Sequence, residues 1–521
     1  MKNPTLVSAV AKDGLLAMLA AVSRAGAELG PAAEPGDLQA RLQQRLGDAK
    51  AAAFLLGCSA LHEYLTADIV DGSNTIDEEA AAVAASRRAL LPAFQCRVQE
   101  RIDRADAATA GHLRCAEHAC ALHSQGRRQR SWLSTLGALQ LKRRASQCVV
   151  GGEARSPAER AVGLPAGNRT ARCDEIVTAM ATTVPHGMAE RLLHEFIGID
   201  VSEHAIQDAV EERALAVIAL ESAAADAANP LDAEGRERHP QRPSDAVRAT
   251  EAPRIAYLET DGVLPMTREL DPERCVPAEP GARGGQGKRY TLEGREVKNA
   301  VLYTEGAQAR ESPSRGCLLA KTYVSWLGHW RVFALHLWLE MLRLRFDEAQ
   351  LLVVLGDGAT WIASLVEWLP KPMKILHVLD FYHAAHRVWE VAHAVHGAHA
   401  PAAATWAREQ CARLETGQAQ LVIDGLRFLK TGNADTQKKI DELSNYFTNN
   451  LKRMNYPEYV ARGLRITSGK VESANYHVTG ARLKCQGMRW AEAGAAQMAL
   501  LRADLFNERW AKRTRQVLAA A

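Results

Sequence analysis

The 521-residue chain contains no run of 18 or more uncharged apolar residues, so nothing in it reads as a membrane-spanning helix. Its richest early segment, Gly14 to Val22, follows Lys12 and Asp13 and only weakly imitates a secretory leader; an amphipathic helix is the better reading. A dense cysteine framework is also missing. The 10 cysteines are scattered, which suits free or metal-bound thiols in a reducing cytoplasm. Nor is one sign of charge in excess: 64 Lys/Arg oppose 61 Asp/Glu, and a net charge of +3 selects no partner by itself. With 47% hydrophobic and 24% charged residues the chain is neither wholly disordered, collagenous nor a coiled coil. At roughly 150 residues per domain its length implies about three domains.

The charge is unevenly placed. From Arg101 to Arg172 there are 13 Lys/Arg against 5 Asp/Glu, and the same counts hold from Asn450 to the end. Two such segments in a near-neutral protein suit a phosphate backbone, with solvated helix faces as the plainer explanation. Residues 1–110 read as helical, rich in Ala, Leu, Arg and Gln with apolar spacings of three and four, as at Ala53, Leu56 and Ala60. An interdomain linker is expected at 223–252, beginning in the stretch Ala223 to Pro230. Beyond it, short apolar runs separated by Gly and Pro give an α/β texture, with a mobile loop expected from Asp271 to Lys288.

Three apolar runs in this second half stop at an acidic residue: Arg254 to Thr260 at Asp261-Gly262, Leu351 to Gly356 at Asp357-Gly358, and Lys374 to Leu379 at Asp380. The second is apolar on both faces, as a central strand should be. Between the first two, Lys288 to Thr304 reads as strands turning at Gly294, followed by a helix from Trp330 to Arg345. An Asp-Gly pair can merely make a turn, yet several in one domain place carboxylates at the carboxyl edge of a sheet, where α/β folds bind ligands. A fourth carboxylate, Glu472, lies near the start of a helix with Ser468 as its cap and Val471, Ala474 and Val478 as its apolar stripe. Lys470, Arg482, Lys484 and Arg489 around it suit phosphates. Two strand-end aspartates and a helix glutamate are the donor set of two-metal phosphoryl transfer, because hard Mg²⁺ prefers carboxylate oxygens.

The ordered motifs Thr260-Asp261-Gly262, Gly356-Asp357-Gly358-Ala359, Leu379-Asp380-Phe381-Tyr382-His383, Ser468-Gly469-Lys470-Val471-Glu472 and Gly487-Met488-Arg489-Trp490 resemble bacterial insertion-sequence DDE transposases of the ISKra group, from about Arg114 to Trp510. The resemblance implies a ribonuclease H-like α/β catalytic domain at 253–383 and 463–521, interrupted by a helical insertion at 384–462. It also implies a triad of Asp261, Asp357 and Glu472 holding two Mg²⁺ or Mn²⁺ ions, with Asp380 and His383 as auxiliary residues. The expected reaction is metal-dependent cleavage and joining of DNA at the element's ends by a homo-oligomer in the cytoplasm. An inactive DNA-binding relic and a nuclease of the same fold stay open as alternatives.

The same resemblance leads one to expect a zinc-ribbon-like segment, here 111–165, and a helix-turn-helix, here 166–222. The ribbon pattern is degenerate. Cys115, His118, Cys120 and Cys148 could supply four Zn²⁺ ligands, but Gly151 stands where a second Cys-x-x-Cys pair would have its last cysteine. From Gly187 to Val210 the chain reads as helix, Gly198 turn and a second helix capped by Ser202, although Asp208, Glu211 and Glu212 suit a phosphate-facing helix poorly. The expected DNA contacts outside the catalytic domain are therefore Arg127, Arg128, Arg130, Lys142, Arg143 and Arg144.

Overall fold

The computed structural model describes residues 35–67, 75–109, 114–115, 118–154, 156–231, 241–244, 252–275, 289–312 and 315–520. The segment Gly14 to Val22, most of the expected linker and most of the expected 271–288 loop lie outside the described residues. The chain divides into two compact units: residues 1–178, 187–203 and 514–521 form the first, and residues 179–186 and 204–513 the second. No helix among the described residues is long and apolar enough to cross a membrane.

The first unit opens with helices α1 (Pro35–Leu46), α2 (Asp48–Thr66) and α3 (Thr75–Ala108), as the N-terminal composition predicts. A three-stranded antiparallel sheet follows: β1 (Leu122–Ser134), β2 (Gly137–Cys148) and β3 (Gly152–Ala154). Gly137, at φ 129°, lets β1 turn straight back into β2, with Ser134 opposite Gly137 and Leu122 opposite Cys148. Alternate residues Leu139 and Leu141 point inward and pack with Trp132, Ile102 of α3 and Ala158 of α4 (Pro157–Ala161) into a small core. The expected helix-turn-helix segment is divided between the two units and consists of α5 (Ala171–Thr183), α6 (His186–Leu192) with a π-helical turn at Leu193–Ile197, a left-handed Gly198 at φ 64°, and α7 (Glu203–Ala228), which from His204 on belongs to the second unit. The Ala-rich stretch expected to begin the linker continues α7 instead, since alanine is the best helix former and Ala228 is buried, its carbonyl accepting from Trp338 Nε1 at 2.8 Å. At 26 residues, with Ile206, Val210, Val217 and Glu221 buried along one side, α7 has the length and burial of a core helix.

The second unit is built on a five-stranded mixed sheet. Its strands are β4 (Ile255–Val263), β7 (Val297–Thr304), β10 (Thr322–Leu327), β11 (Leu351–Gly356) and β12 (Ile375–Leu379), ordered β10-β7-β4-β11-β12. Strands β4, β11 and β12 are parallel, and β7 is antiparallel to both β4 and β10. A smaller sheet joins β5 (Met266–Leu270) and β6 (Tyr290–Gly294), while β8 (Gln308–Ser312) and β9 (Arg315–Leu318) form a hairpin. The doubly apolar β11 is interior but not central. The middle place belongs to β4, whose sequence reads less apolar because it carries Glu259 and Asp261 on one face. On the opposite face Ala256, Leu258, Leu352 and Val354 pack on α8 (Trp330–Arg343) and α9 (Thr360–Trp368).

The face bearing Tyr257, Tyr303, Val353 and Leu355 is covered by helices. They are α10 (Phe381–His396), α11 (Pro401–Glu415), α12 (Ala419–Phe428), α13 (Ala434–Asn450) and α14 (Tyr456–Ala461), so the expected helical segment is helical throughout. After them come α15 (Gly469–Ala474), a π-helical stretch at Asn475–Gly480, α16 (Ala481–Leu483), the short β13 (Trp490–Ala491), α17 (Glu492–Phe506) and α18 (Trp510–Ala520).

Candidate active site

Strand β4 brings two carboxylates to one face, two residues apart. Glu259 is fully buried and accepts three hydrogen bonds: from the Tyr303 hydroxyl at 2.6 Å, the Lys470 N–H at 2.8 Å and the Val471 N–H at 3.0 Å. The last two are donors in the first turn of α15, where the Val471 N–H also reaches the Ser468 carbonyl at 3.1 Å, so the Glu259 side chain fastens that helix to the middle of the sheet. Burial pushes the Glu259 carboxyl up, and these donors oppose the shift.

Asp261 lies opposite Asn299 of β7, and one of its oxygens accepts from Asn475 Nδ2 at 2.7 Å. The Asn475 carbonyl oxygen accepts from Asn299 Nδ2 at 2.7 Å, and Asn299 Oδ1 in turn accepts from the hydroxyls of Ser325 (2.5 Å) and Thr479 (2.9 Å). This chain of amides and hydroxyls spans three strands and holds the π-helical turn after α15, a distortion that often accompanies functional sites. Gly262 does not open a turn as the sequence suggests. The strand continues through it to Val263, and a Cβ there would make the end of the Glu296 side chain shift.

Asp357 follows the last residue of β11, and Asp380 follows the last residue of the adjacent β12. Gly358, at φ 85°, makes the turn after Asp357, whose Oδ1 accepts from the Ala359 N–H at 2.9 Å. Asp380 is fully buried and caps α10 by accepting from the His383 N–H at 2.8 Å, while its other oxygen accepts from the Ser468 N–H. His383 Nδ1 stands 3.4 Å from Asp380. That neighbour holds the imidazole up at about 9, and the charges of Asp261 and Asp357 add to the effect. Burial would raise Asp380, but the His383 and Ser468 contacts prevail and keep it low. Burial raises Asp261 too, and the Asp357 charge pushes the same way.

Asp261, Asp357, Asp380 and His383 are thus brought to one end of the parallel strands. Glu472 is on the helix latched beside them, with Val471 and Ala474 inward and its own side chain exposed. Among the described residues, the group of His, Cys, Asp or Glu side chains whose ligand atoms converge, within 4.8 Å of one another, is Cys115, Cys120 and Cys148. The proposed triad is not drawn into such a cluster.

Residues 328–517 match an uncharacterised protein family, UPF0236. No curated protein matches the chain. The matched segment carries Asp357, Asp380, His383 and Glu472, whereas Asp261 and the cysteine cluster lie before it.

The expected DNA contacts separate into two groups. Arg143 is buried with its Nε 2.6 Å from the fully buried Glu159, and Arg482 is buried with its guanidinium 4.8 Å over Trp490 and its Nε donating to the Ala181 carbonyl at 3.3 Å. Neither is placed to meet a phosphate, because leaving Glu159 or the Trp490 pocket would strand a buried charge or vacate core packing. Arg130 is also occupied, lying 4.8 Å over Trp132 and donating to the carbonyls of Ala166 and Gly167, and Arg127 pairs with Asp103. Lys470 and Arg144 are half-buried, whereas Arg128, Lys142, Lys484 and Arg489 are exposed. Sequence reasoning missed Glu259, Tyr303, Asn299 and Asn475. The available signal was a glutamate directly after the apolar run Ile255 to Leu258 and before Asp261.

Proposed function

We propose that the chain is a DDE-type transposase, similar to the ISKra group, with a ribonuclease H-like catalytic domain that cleaves and joins DNA at element ends. The observation that carries the reading is the placement of Asp261 within β4 and of Asp357 just after the adjacent parallel β11, near enough for one charge to act on the other, beside a Glu472-bearing helix that is latched to β4. A central strand flanked by one antiparallel and one parallel neighbour suits that fold. The family matched at 328–517 is associated with transposase-like proteins, which agrees.

The donor types suit a hard divalent cation: they are carboxylates, and positive charge would relieve the burial of Asp261 and its repulsion by Asp357. Asp261, Asp357 and Glu472 would hold Mg²⁺ or Mn²⁺, which when bound stabilises charge on the transferring phosphoryl group and makes a water or 3′-hydroxyl more acidic. Asp380 holds the entry to α15 through Ser468 and keeps His383 cationic, so that His383 can donate to a phosphate oxygen beside the aspartates. Exposed Arg128, Lys142, Lys484 and Arg489 serve as backbone contacts. The protein acts as a homo-oligomer on DNA.

The test is cleavage of end-containing DNA by the full chain with Mg²⁺. Asp261→Ala, Asp357→Ala and Glu472→Ala should each abolish it, with double variants no worse than single ones because the residues act as a unit. A single variant near the wild-type rate overturns the triad. Binding of ends without cleavage by the wild type favours the inactive relic.

A further inference from the structure

Where β11 leaves the sheet, the Gly356 carbonyl still accepts from the Asp380 N–H at 2.9 Å, in continuation of the pairing with β12. The next carbonyl, that of Asp357, is past the ladder. A half-buried carbonyl that leaves a ladder needs another donor, and this one accepts from the Tyr446 hydroxyl at 2.6 Å. Tyr446 lies on α13, inside the helical segment that separates Asp380 from Glu472. Burial pushes its hydroxyl up, the charge of Arg387 opposes the shift, and the charges of Asp357 and Asp380 add to it, so the hydroxyl keeps its proton and donates.

The Tyr446 ring is itself held in place. Arg387 of α10 sets its guanidinium 4.3 Å over the ring, and one turn along α13 the buried Asn450 donates from Nδ2 to the Tyr446 carbonyl at 2.8 Å. Asn450 Oδ1 accepts in turn from Arg453 at 2.8 Å. A Cβ on Gly358 would lie 2.9 Å from Leu379 Cδ1, 3.0 Å from Tyr446 Cε2 and 3.2 Å from Asn450 Nδ2, so α13 packs directly on the turn that follows Asp357. Within that turn Asp357 Oδ1 accepts from the Ala359 N–H. Asp357 is therefore tied twice, its side chain by a bond inside the turn and its backbone by a bond from the helical segment.

We propose that Tyr446 is a positioning residue for Asp357: its hydroxyl fixes the peptide after β11, and with it the direction in which the Asp357 carboxylate leaves the sheet. The helical segment then has a part in building the site as well as in covering the sheet. A bond to the Asp357 carbonyl restricts rotation of the 357–358 peptide, and that rotation would move the Ala359 N–H on which the carboxylate rests. Without the hydroxyl the turn has more than one arrangement, and misplacing a reacting group by about 1 Å can cost on the order of 100-fold in rate. The use of Asp357 as a metal ligand rests on the function proposed above; the hold on its backbone does not.

The experiment compares Tyr446→Phe and Tyr446→Ala with the wild-type full chain in two arms. The first needs neither metal nor DNA: hydrogen exchange, resolved to single amides by mass spectrometry, is followed at Ala359. Tyr446→Phe keeps the ring and should speed that amide about fivefold or more, while exchange from Leu352 to Leu355 and the urea midpoint stay close to wild type. The second arm measures cleavage of end-containing DNA against Mg²⁺ and DNA concentration. Tyr446→Phe should need about tenfold more Mg²⁺ for half its maximal rate and lose about tenfold in kcat, with KM for DNA within about twofold of wild type. A phenylalanine variant that matches wild type in both arms, with only the alanine variant impaired, means that the ring merely packs and overturns the proposal. Faster exchange at Ala359 with wild-type kcat and Mg²⁺ dependence overturns it too. If the wild type does not cleave, the transposase reading is what fails; exchange at Ala359 then decides the hold alone, faster exchange in Tyr446→Phe sustaining it and unchanged exchange overturning it.

Discussion

Replacing Glu259 tests how the helix bearing Glu472 is held. In Glu259→Ala the buried Tyr303 hydroxyl loses its acceptor, as do the Lys470 N–H at the half-buried start of α15 and the Val471 N–H, which keeps its contact with the Ser468 carbonyl at 3.1 Å. A buried donor left unpaired costs about 1–3 kcal/mol; with the Tyr303 hydroxyl stranded and the two N–H groups partly compensated, the second unit should lose about 2–4 kcal/mol. Glu259→Gln should cost only about 1 kcal/mol, since one amide oxygen still serves both N–H groups and the amide nitrogen can donate to a reoriented Tyr303 hydroxyl. The pH dependence has a fixed sign. The Glu259 carboxyl is raised, so the folded state holds its proton to higher pH than the unfolded chain does. Its contribution to stability is fully present below the ordinary glutamate value and is lost as pH rises through the raised one; the glutamine variant should lack this component. Urea unfolding followed by tryptophan fluorescence gives the free energies, and hydrogen exchange at Lys470 and Val471 reports the latch directly. An alanine variant within 1 kcal/mol of wild type, with those two amides still protected, would refute the reasoning.

Two other outcomes are expected. Glu221 is buried between Arg343 (2.8 Å) and Arg513 (2.6 Å); burial opposes its charge, but the arginines win and hold it at about 2, so stability from this pair is present above about 4.5 and drains away as pH falls towards 2. Acid titration of unfolding free energy should lose that component in Glu221→Gln, which itself should cost about 1–3 kcal/mol at pH 7, because Arg343 keeps Glu340 (2.5 Å) and Arg513 keeps Asp504 (3.0 Å). For DNA, the combined Arg128, Lys484 and Arg489 alanine variant should flatten the slope of log affinity against log salt by up to about three units, while Arg143→Ala should lower stability without a comparable change in slope, as read by titration of end-containing DNA at several salt concentrations.

Much of the architecture was legible because it rests on local pattern. The apolar runs gave β4, β11 and β12, the Gly294 turn separated β6 from β7, and the helix from Trp330 was found to within two residues of its end. Asp357 and Asp380 could be read for the same reason, since a carboxylate after a buried strand must emerge at the sheet edge, whereas Asp261 lies inside β4, which runs on to Val263. What was not legible depends on pairings between distant residues. Arg143 and Arg482 read as surface cations until folding gives them Glu159 and Trp490, and nothing near Glu259 in the chain announces the helix N–H groups more than 200 residues away. His118 read as one of four ligands, yet the ligand atoms that converge among the described residues are those of Cys115, Cys120 and Cys148.

The placement of Glu259 and Asp261 on a single strand also restricts how this domain can go wrong. The side-chain period of a strand is two, so slipping β4 by one residue against β7 would bring Ala256, Leu258 and Thr260 to the helix-covered face and send both carboxylates into the apolar layer beneath α8 and α9. Such a register forfeits the helix dock and the edge carboxylate together. Completion of the fold and assembly of the catalytic edge are therefore one cooperative event, and a chain that has docked α15 has already chosen the register that presents Asp261.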